Sequence, residues 1–371
     1  MTASFSVLPP TLDEVVAALR ERLPGLVVAA GPRGPRRGGS DGVLRIGRRA
    51  LGPIVTRRLP VHARGLVRHD GGLIDARLHL PVPYPEVGAA PDHFRPLAVL
   101  AVRNEDDILG WVLDEMMDVE GLDVFVIDNH STDGTTDVLR SRTGHPRFSG
   151  WTSHPDEPDE VLDWSGLLAR KQEVIGELQP TWAIHSDADE VRRSPWPGIS
   201  MRDGLWAVHQ SGATMVDFTV LNHLPVHGHT PDDRTDVTRL DHVEFGLRPG
   251  YFTQTKCWRV PTAGEPAHWH QGGHRITPPI ARPFPLNFRV DHYPVRSQSH
   301  GLEKILVDGR WTAKQDARDR AQSRYGHVDA EHDFEREPNS LPRKDPPWFQ
   351  AAAWRLVCRA GMDPDPDFRL V

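Results

Sequence analysis

Trp182-Ala183-Ile184-His185-Ser186-Asp187-Ala188-Asp189-Glu190 is the stretch on which the reading of the chain turns. It opens as a short apolar run, the pattern of a buried strand, and ends with three carboxylates in four residues. Carboxylates this close repel one another, so a cation belongs among them, and a hard divalent ion suits oxygen donors. Two plainer readings stand beside that one: a solvated acidic turn, or a helix N-terminus where Asp and Glu favour the dipole.

The residues upstream bear on the choice. Leu97 to Val102 is a continuous apolar run, as a parallel strand buried on both faces requires, and Arg103-Asn104-Glu105-Asp106-Asp107 follows it. Ile108, Leu109, Val112, Leu113, Met116 and Met117 then recur at helical spacing until Gly121. Asp123 to Ile127 is a second buried run, delivering Asp128-Asn129-His130-Ser131-Thr132-Asp133-Gly134 at its end, and Thr136 to Arg140 begins another helix. A strand, helix, strand, helix order predicts parallel strands joined by a right-handed crossover, with polar residues at the strand carboxyl ends lining the ligand crevice. One Asp or Asn cluster after a strand is commonly a turn former. Three of them on one edge are harder to dismiss.

Val99 to Gly134, with its Arg103-Asn104-Glu105 and Ser131-Thr132-Asp133-Gly134 turns, together with Ala183 to Val191, resembles the nucleotide-sugar glycosyltransferases of the GT-A fold, in particular family 2 and its relatives. The resemblance runs over residues 97–320. It implies an α/β, GT-A type (Rossmann-like), mostly parallel sheet flanked by helices, and transfer of a sugar from a UDP-, GDP- or dTDP-type donor to a small-molecule or glycan acceptor. It also implies a divalent cation, Mn2+ or Mg2+. Carried over by position, Asp128 contacts the base or ribose with Asn129 beside it, and Asp187 and Asp189 form a DxD pair around Ala188. The nucleotide-sugar set is then Arg103, Asn104, Glu105, Asp128, Asn129, Arg170, Asp187 and Ala188. The metal set is Asp187 and Asp189, completed by a late histidine, His292 first and His274 second.

Elementary electrostatics agrees with that expectation. A departing nucleoside diphosphate carries several negative charges, the chain has no long basic run to meet them, and a metal ion would supply the charge as a Lewis acid. Leu167 to Leu178 reads as an amphipathic helix, with Lys171 expected in solvent and Arg170 free to turn either way. Downstream, Met201 to Ser211 is helical and Thr214 to Leu221 a strand carrying Asp217. Asn222 to Asp241 is a polar lid or acceptor loop, Lys256 to Val260 a strand, and His268 to His274 a histidine-rich turn. Arg289 to Ser297 ends a strand and begins a helix that holds Lys304. A base that deprotonates the acceptor is sought among Asp217, Asp241, Glu244 and Glu265, none of which sits in a distinguishing motif. Glu190 is read as orienting the acidic turn or holding an arginine, and the stereochemical outcome stays open.

Three units are expected. Residues 1–95 form a small α+β domain: a capped helix at Thr11 to Leu23, a basic loop over 31–40, an antiparallel β region over 43–80 and a proline-rich linker. Residues 96–320 hold the glycosyltransferase-like domain. Residues 321–371 are a helical extension entered through Asp345-Pro346-Pro347, which packs on the body or on a second subunit of a homo-oligomer. The 371 residues carry 44 basic against 51 acidic side chains, a net charge of -7 that argues against a general nucleic-acid binder. Cys257 and Cys358 lack metal or disulfide spacing, and no signal peptide or membrane-spanning run is evident, so a cytoplasmic protein is expected. Rival readings are a nucleotide-sugar hydrolase, a nucleotidyltransferase, or a non-catalytic nucleotide-sugar binding protein. A nucleotidyltransferase needs a Gly-rich basic loop near the first strand, where residues 103–107 are acidic instead.

Overall fold

The computed structural model describes residues 88–156, 163–196, 198–228, 236–244, 253–262, 266–270, 273–282, 284, 288–307, 328–337 and 341, with the backbone of strands between 26 and 79 and at 353–355. Strands β1 (Leu26–Ala30), β2 (Gly42–Ile46) and β3 (Arg49–Ile54) form an antiparallel sheet, and β4 (Gly65–His69) pairs antiparallel with β5 (Gly72–His79). The β region expected over 43–80 is therefore present. The helix expected at Thr11 to Leu23, the basic loop over 31–40 and the first part, 81–87, of the linker expected over 81–96 lie outside the described residues.

The main sheet begins with β6 (Pro96–Val102), β7 (Asp123–Asp128), β8 (Phe148–Ser153) and β9 (Trp182–Asp187), which pair in parallel in the order β8-β7-β6-β9. Between them run α1 (Asp106–Asp114), extended by a π-helical turn over Glu115–Val119, then α2 (Thr135–Ser141) and α3 (Trp164–Leu178). Both faces of β6 are buried, as its apolar run requires. Ala98, Leu100 and Val102 join a core with Ile108, Val112 and Met116 of the first helix, while Leu97 and Val99 join Leu167, Val174 and Ile175 of α3.

The rest of the sheet comprises β10 (Glu190–Arg193), β11 (Met215–His223), β12 (Val243–Glu244), β13 (Thr253–Arg259), β14 (His268–His270), β15 (Arg275–Thr277) and β16 (Phe288–His292). Helices α4 (Met201–Gln210) and α5 (Gln298–Leu302) complete the unit, each capped by a serine, Ser200 accepting from Asp203 N and Ser297 from His300 N. The strand order continues from β9 as β13-β11-β16-β10. Only the β11–β16 and β13–β15 pairs are parallel in this half, whereas β9–β13, β13–β11, β16–β10, β11–β12 and β14–β15 are antiparallel. The mostly parallel sheet expected from the sequence is thus a mixed one. Helical crossovers force parallel neighbours in the first half; in the second, strands distant in sequence pair antiparallel, and only β14–β15 is a short reversal.

The sheet must also curl. Four strand-to-strand steps separate β9 from β10 in the sheet order, about 19 Å if it were flat. Only Ala188 and Asp189 lie between them, a span of about 11 Å at most from Asp187 to Glu190. Curling is what places Glu190 beside residues of β13.

Two further elements differ from expectation. The sequence pattern did not single out β8, an edge strand with half-exposed alternation. Within 321–371, expected to be a helical extension, β17 (Ala353–Arg355) is a strand paired antiparallel with β5, and no described residue there is helical.

Candidate functional site

Strand register brings the three polar clusters to one edge: Val102 stands beside Asp128, and Ala101 beside Asp187. The turn after β7 is tied to the turn after β6. Asn104, in the left-handed region at φ 52, accepts from Thr132 N at 2.8 Å, and its own N–H donates to Ser131 Oγ at 3.0 Å. Arg103 Nη1 donates to the carbonyls of Asn129 (2.8 Å) and His130 (2.6 Å). Asp128 is buried and accepts from the Ser131 hydroxyl at 2.5 Å, and Asn129 is buried and donates to His154 O at 2.8 Å. These candidates therefore tie the turns after β6, β7 and β8 to one another through their backbones.

The acidic turn itself is built differently for each carboxylate. Asp187 Oδ2 accepts from Lys256 Nζ at 2.7 Å, and Oδ1 lies 3.9 Å from His185 Nε2. Burial pushes its pKa up, but Lys256, His185 and Lys171 more than offset this and hold it well below the usual range. Glu190 is buried, receiving Arg192 Nη2 at 2.5 Å, Gln254 Nε2 at 3.0 Å and Lys256 Nζ at 3.2 Å. It also accepts the Asp187 backbone N–H at 3.2 Å, so Glu190 both orients the turn and holds an arginine.

Asp189 is more buried than Asp187 but is paired through one oxygen. Its Oδ2 accepts from Lys304 Nζ at 3.1 Å, which also donates to Glu105 Oε1 at 3.0 Å. Its Oδ1 faces His292 Nε2 at 3.6 Å. His292 Nδ1 donates to Asn222 Oδ1 at 2.7 Å, which leaves a lone pair on Nε2. Burial lowers the His292 pKa despite the neighbouring carboxylates. Its Nε2 thus faces a carboxylate oxygen at a distance too long for a hydrogen bond.

Behind Asp189 the charges are closed. Arg296 is fully buried, with Nε and Nη2 on the two oxygens of Asp107 at 2.9 and 2.7 Å and Nη2 also on Glu105 at 2.7 Å. Burial raises the Glu105 pKa, partly countered by Lys304 and Arg296.

Several expected residues fall elsewhere. On α3 it is Lys171 that turns into the cluster, fully buried, while Arg170 pairs with Glu173 (3.0 Å) and Glu177 (2.9 Å) of its own helix. The solvent position expected for Lys171 is thus overturned. Ala188 is buried in the β9–β10 turn. His274 follows Gly273, its pKa lowered to about 4 chiefly by burial. The histidine-rich segment is not a simple turn, since His268–His270 forms β14 against β15. Of the base candidates, Asp217 is buried and accepts from the Thr255 hydroxyl, and Asp241 pairs with His242 Nδ1 at 2.8 Å. The side chain of Glu244 and all of Glu265 lie outside the described residues, as do residues 229–235 of the expected lid.

Lys256, Lys304, Arg296, Arg192 and the Lys171–His185 pair were not assigned to the site from the sequence. They meet part of the carboxylate charge for which a divalent ion was expected, because cations separated in sequence converge where no basic run exists. Among the described residues there is no group of three or more His, Cys, Asp or Glu that could hold a metal ion. The donors that fit an ion are the pair Asp189 and His292; Asp187 is taken by Lys256. No described helix is long and apolar enough to cross a membrane.

No protein-family model and no curated protein sequence matches this chain. Among solved structures, the mannosyltransferase PcManGT from Pyrobaculum calidifontis in complex with GDP-Man and Mn2+ is 21% identical, over 38% of this chain and 39% of that one, with a TM-score of 0.26. The mannosyltransferase Ktr4p from S. cerevisiae is 12% identical over 43% and 49%, with a TM-score of 0.27. This chain spans less than half the length of either, and likeness at this level establishes neither a shared fold nor a shared activity.

Proposed function

We propose that the chain is a metal-dependent glycosyltransferase of the GT-A type, moving a sugar from a nucleotide-sugar donor of the UDP, GDP or dTDP class to a small-molecule or glycan acceptor. The observation that carries this reading is the open pair at the strand-end edge: Asp189 Oδ1 and the Asn222-oriented His292 Nε2, 3.6 Å apart with both lone pairs facing. Imidazole beside carboxylate suits Mn2+ better than Mg2+, and the hydrogen bond to the other ring nitrogen is the usual support of a ligating histidine. When bound, such an ion supplies positive charge to a departing diphosphate.

The chain's own residues do the rest. Lys304 keeps Asp189 ionised and aimed by holding its second oxygen, and Lys256 does the same for Asp187. Arg103 fixes the Asn129–His130 backbone against which a nucleoside would lie. The test is a thermal-shift screen of UDP-, GDP- and dTDP-sugars with and without Mn2+, since a ligand of the native state raises apparent stability by mass action. A metal-dependent rise with one donor class, followed by transfer or donor hydrolysis, is expected; no shift with any donor sinks the reading.

A further inference from the structure

Lys171 is fully buried, and no carboxylate among the described residues accepts a hydrogen bond from it. Its ammonium donates to His185 Nδ1 at 2.9 Å and to Ser186 O at 2.7 Å. Lys256, equally buried, has Asp187 and Glu190. An ammonium buried without a counter-ion costs several kcal/mol, and a methionine would fill the space without that cost. Burial lowers the Lys171 pKa to about 7, opposed by Asp187 and Glu190 and reinforced by Lys256 and Arg192.

The contact from Lys171 has one consequence for His185. Because His185 Nδ1 accepts, the ring proton sits on Nε2. That Nε2 is buried without a hydrogen-bond partner, 3.9 Å from Asp187 Oδ1. Gly273 seals it from behind: at φ +83, a Cβ there would lie 2.7 Å from His185 Nε2. Trp269 packs edge-on against the ring at 5.1 Å. Asp187 therefore has Lys256 on one oxygen and a fixed N–H beside the other, with 28% of its side chain still open.

We propose that Lys171 and His185 are positioning residues for the donor: the lysine fixes the imidazole so that its Nε2–H steadies Asp187, whose Oδ1 accepts from a hydroxyl of the bound nucleotide sugar. This rests on the glycosyl-transfer reading. Without Lys171 the ring is free to take the other tautomer, which would set a lone pair against the Asp187 carboxylate and push it out of place.

The test compares wild type with Lys171→Met, His185→Phe and His185→Gln. Each is titrated with UDP-glucose, GDP-mannose and dTDP-glucose in the presence of Mn2+, and kcat and KM are measured where turnover occurs. Lys171→Met and His185→Phe should each weaken donor affinity about tenfold and raise KM, with kcat changed less than threefold. The ligand-free Tm of Lys171→Met should stay level or rise, whereas a purely structural lysine would give a lower Tm and unchanged affinity. His185→Gln, which keeps an N–H on the side facing Asp187, should recover most of the affinity. If Lys171→Met does not fold, the Phe and Gln variants decide the matter. Wild-type affinity in Lys171→Met, or in His185→Phe, overturns the inference alone; a wild type that binds none of the donors counts instead against the proposed function.

Discussion

Two buried ion networks sit at opposite ends of β10, and only one of them is closed. At the far end, Arg193 uses every arm of its guanidinium: Nη2 on Glu115 and Nη1 on Glu120, both at 2.7 Å, and Nε on Asp291 at 3.2 Å. Asp291 is also held by Arg289 at 3.0 Å, and Glu120 accepts the Met201 N–H at 2.6 Å. This network stitches the π-helical turn after α1, β10, β16 and the start of α4 into one body. At the near end, Glu190, Asp187 and Asp189 are the same residue types with comparable burial, yet Asp189 Oδ1 and His292 Nε2 face each other with nothing shared. Residue type does not separate a structural ion cluster from a binding site. Saturation of its donors and acceptors does.

The sharpest way to break this contrast is to remove the open carboxylate. Asp189→Ala should abolish metal-dependent nucleotide binding and lower transfer by about a thousandfold, near 4 kcal/mol. Folding should survive because Lys304 keeps Glu105. An active Asp189→Ala protein in the presence of chelator would refute the assignment. The converse substitution in the closed network, Arg193→Met, leaves Glu115 and Glu120 without their cation and Asp291 with Arg289 alone. It should cost about 3 kcal/mol in urea unfolding, the low end for a buried pair because the side chain is 24% exposed, while donor affinity of the folded fraction stays unchanged.

A milder test uses pH. Burial holds the His274 pKa at about 4, below its unfolded value of about 6.5. The unfolded chain then binds the extra proton first, so this contribution is complete above about pH 6.5 and is lost as pH falls toward 4, by about 1.4 kcal/mol per unit. Glu105 and Glu120, raised by burial, act with the opposite sign as pH climbs from their ordinary range. The clean measurement is therefore the difference between wild type and His274→Gln, whose unfolding free energy should fall less steeply between pH 6.5 and 4. The smallest effect belongs to Arg170→Ala. Its partners Glu173 and Glu177 are largely exposed, so stability should change by less than about 1 kcal/mol and donor affinity not at all. A large loss of affinity would restore Arg170 to the nucleotide site.

Much of the parallel half was legible because its signals are local. Continuous apolar runs at Leu97 to Val102, Val124 to Ile127 and Trp182 to Ile184 suit strands covered on both faces, and the polar residues after them fall at one edge. Lys171 was misread although its position carried the signal. Leu167, Lys171, Val174 and Ile175 follow one buried stripe at helical spacing, and the charge of Lys171 outweighed the periodicity. Lys256 offered a similar clue, sharing strand parity with the buried Trp258. The helix expected after Asp345-Pro346-Pro347 rests on a local start signal, yet at Ala353–Arg355 β5 offers an edge with unsatisfied hydrogen bonds, and pairing won.

Local signals establish that Asp187, Asp189 and Glu190 follow a buried apolar run, since such runs and turn chemistry act over a few residues. What each carboxylate is for is set by the folded arrangement. Lys256 holds one oxygen of Asp187, Arg192 with Lys256 closes Glu190, and Asp189 is left with one oxygen facing His292. Those partners come from β13, β10 and β16, brought together by a curl forced by the two-residue link between β9 and β10. Electrostatic pairing depends on distance in space, and nothing in the order of the residues states it.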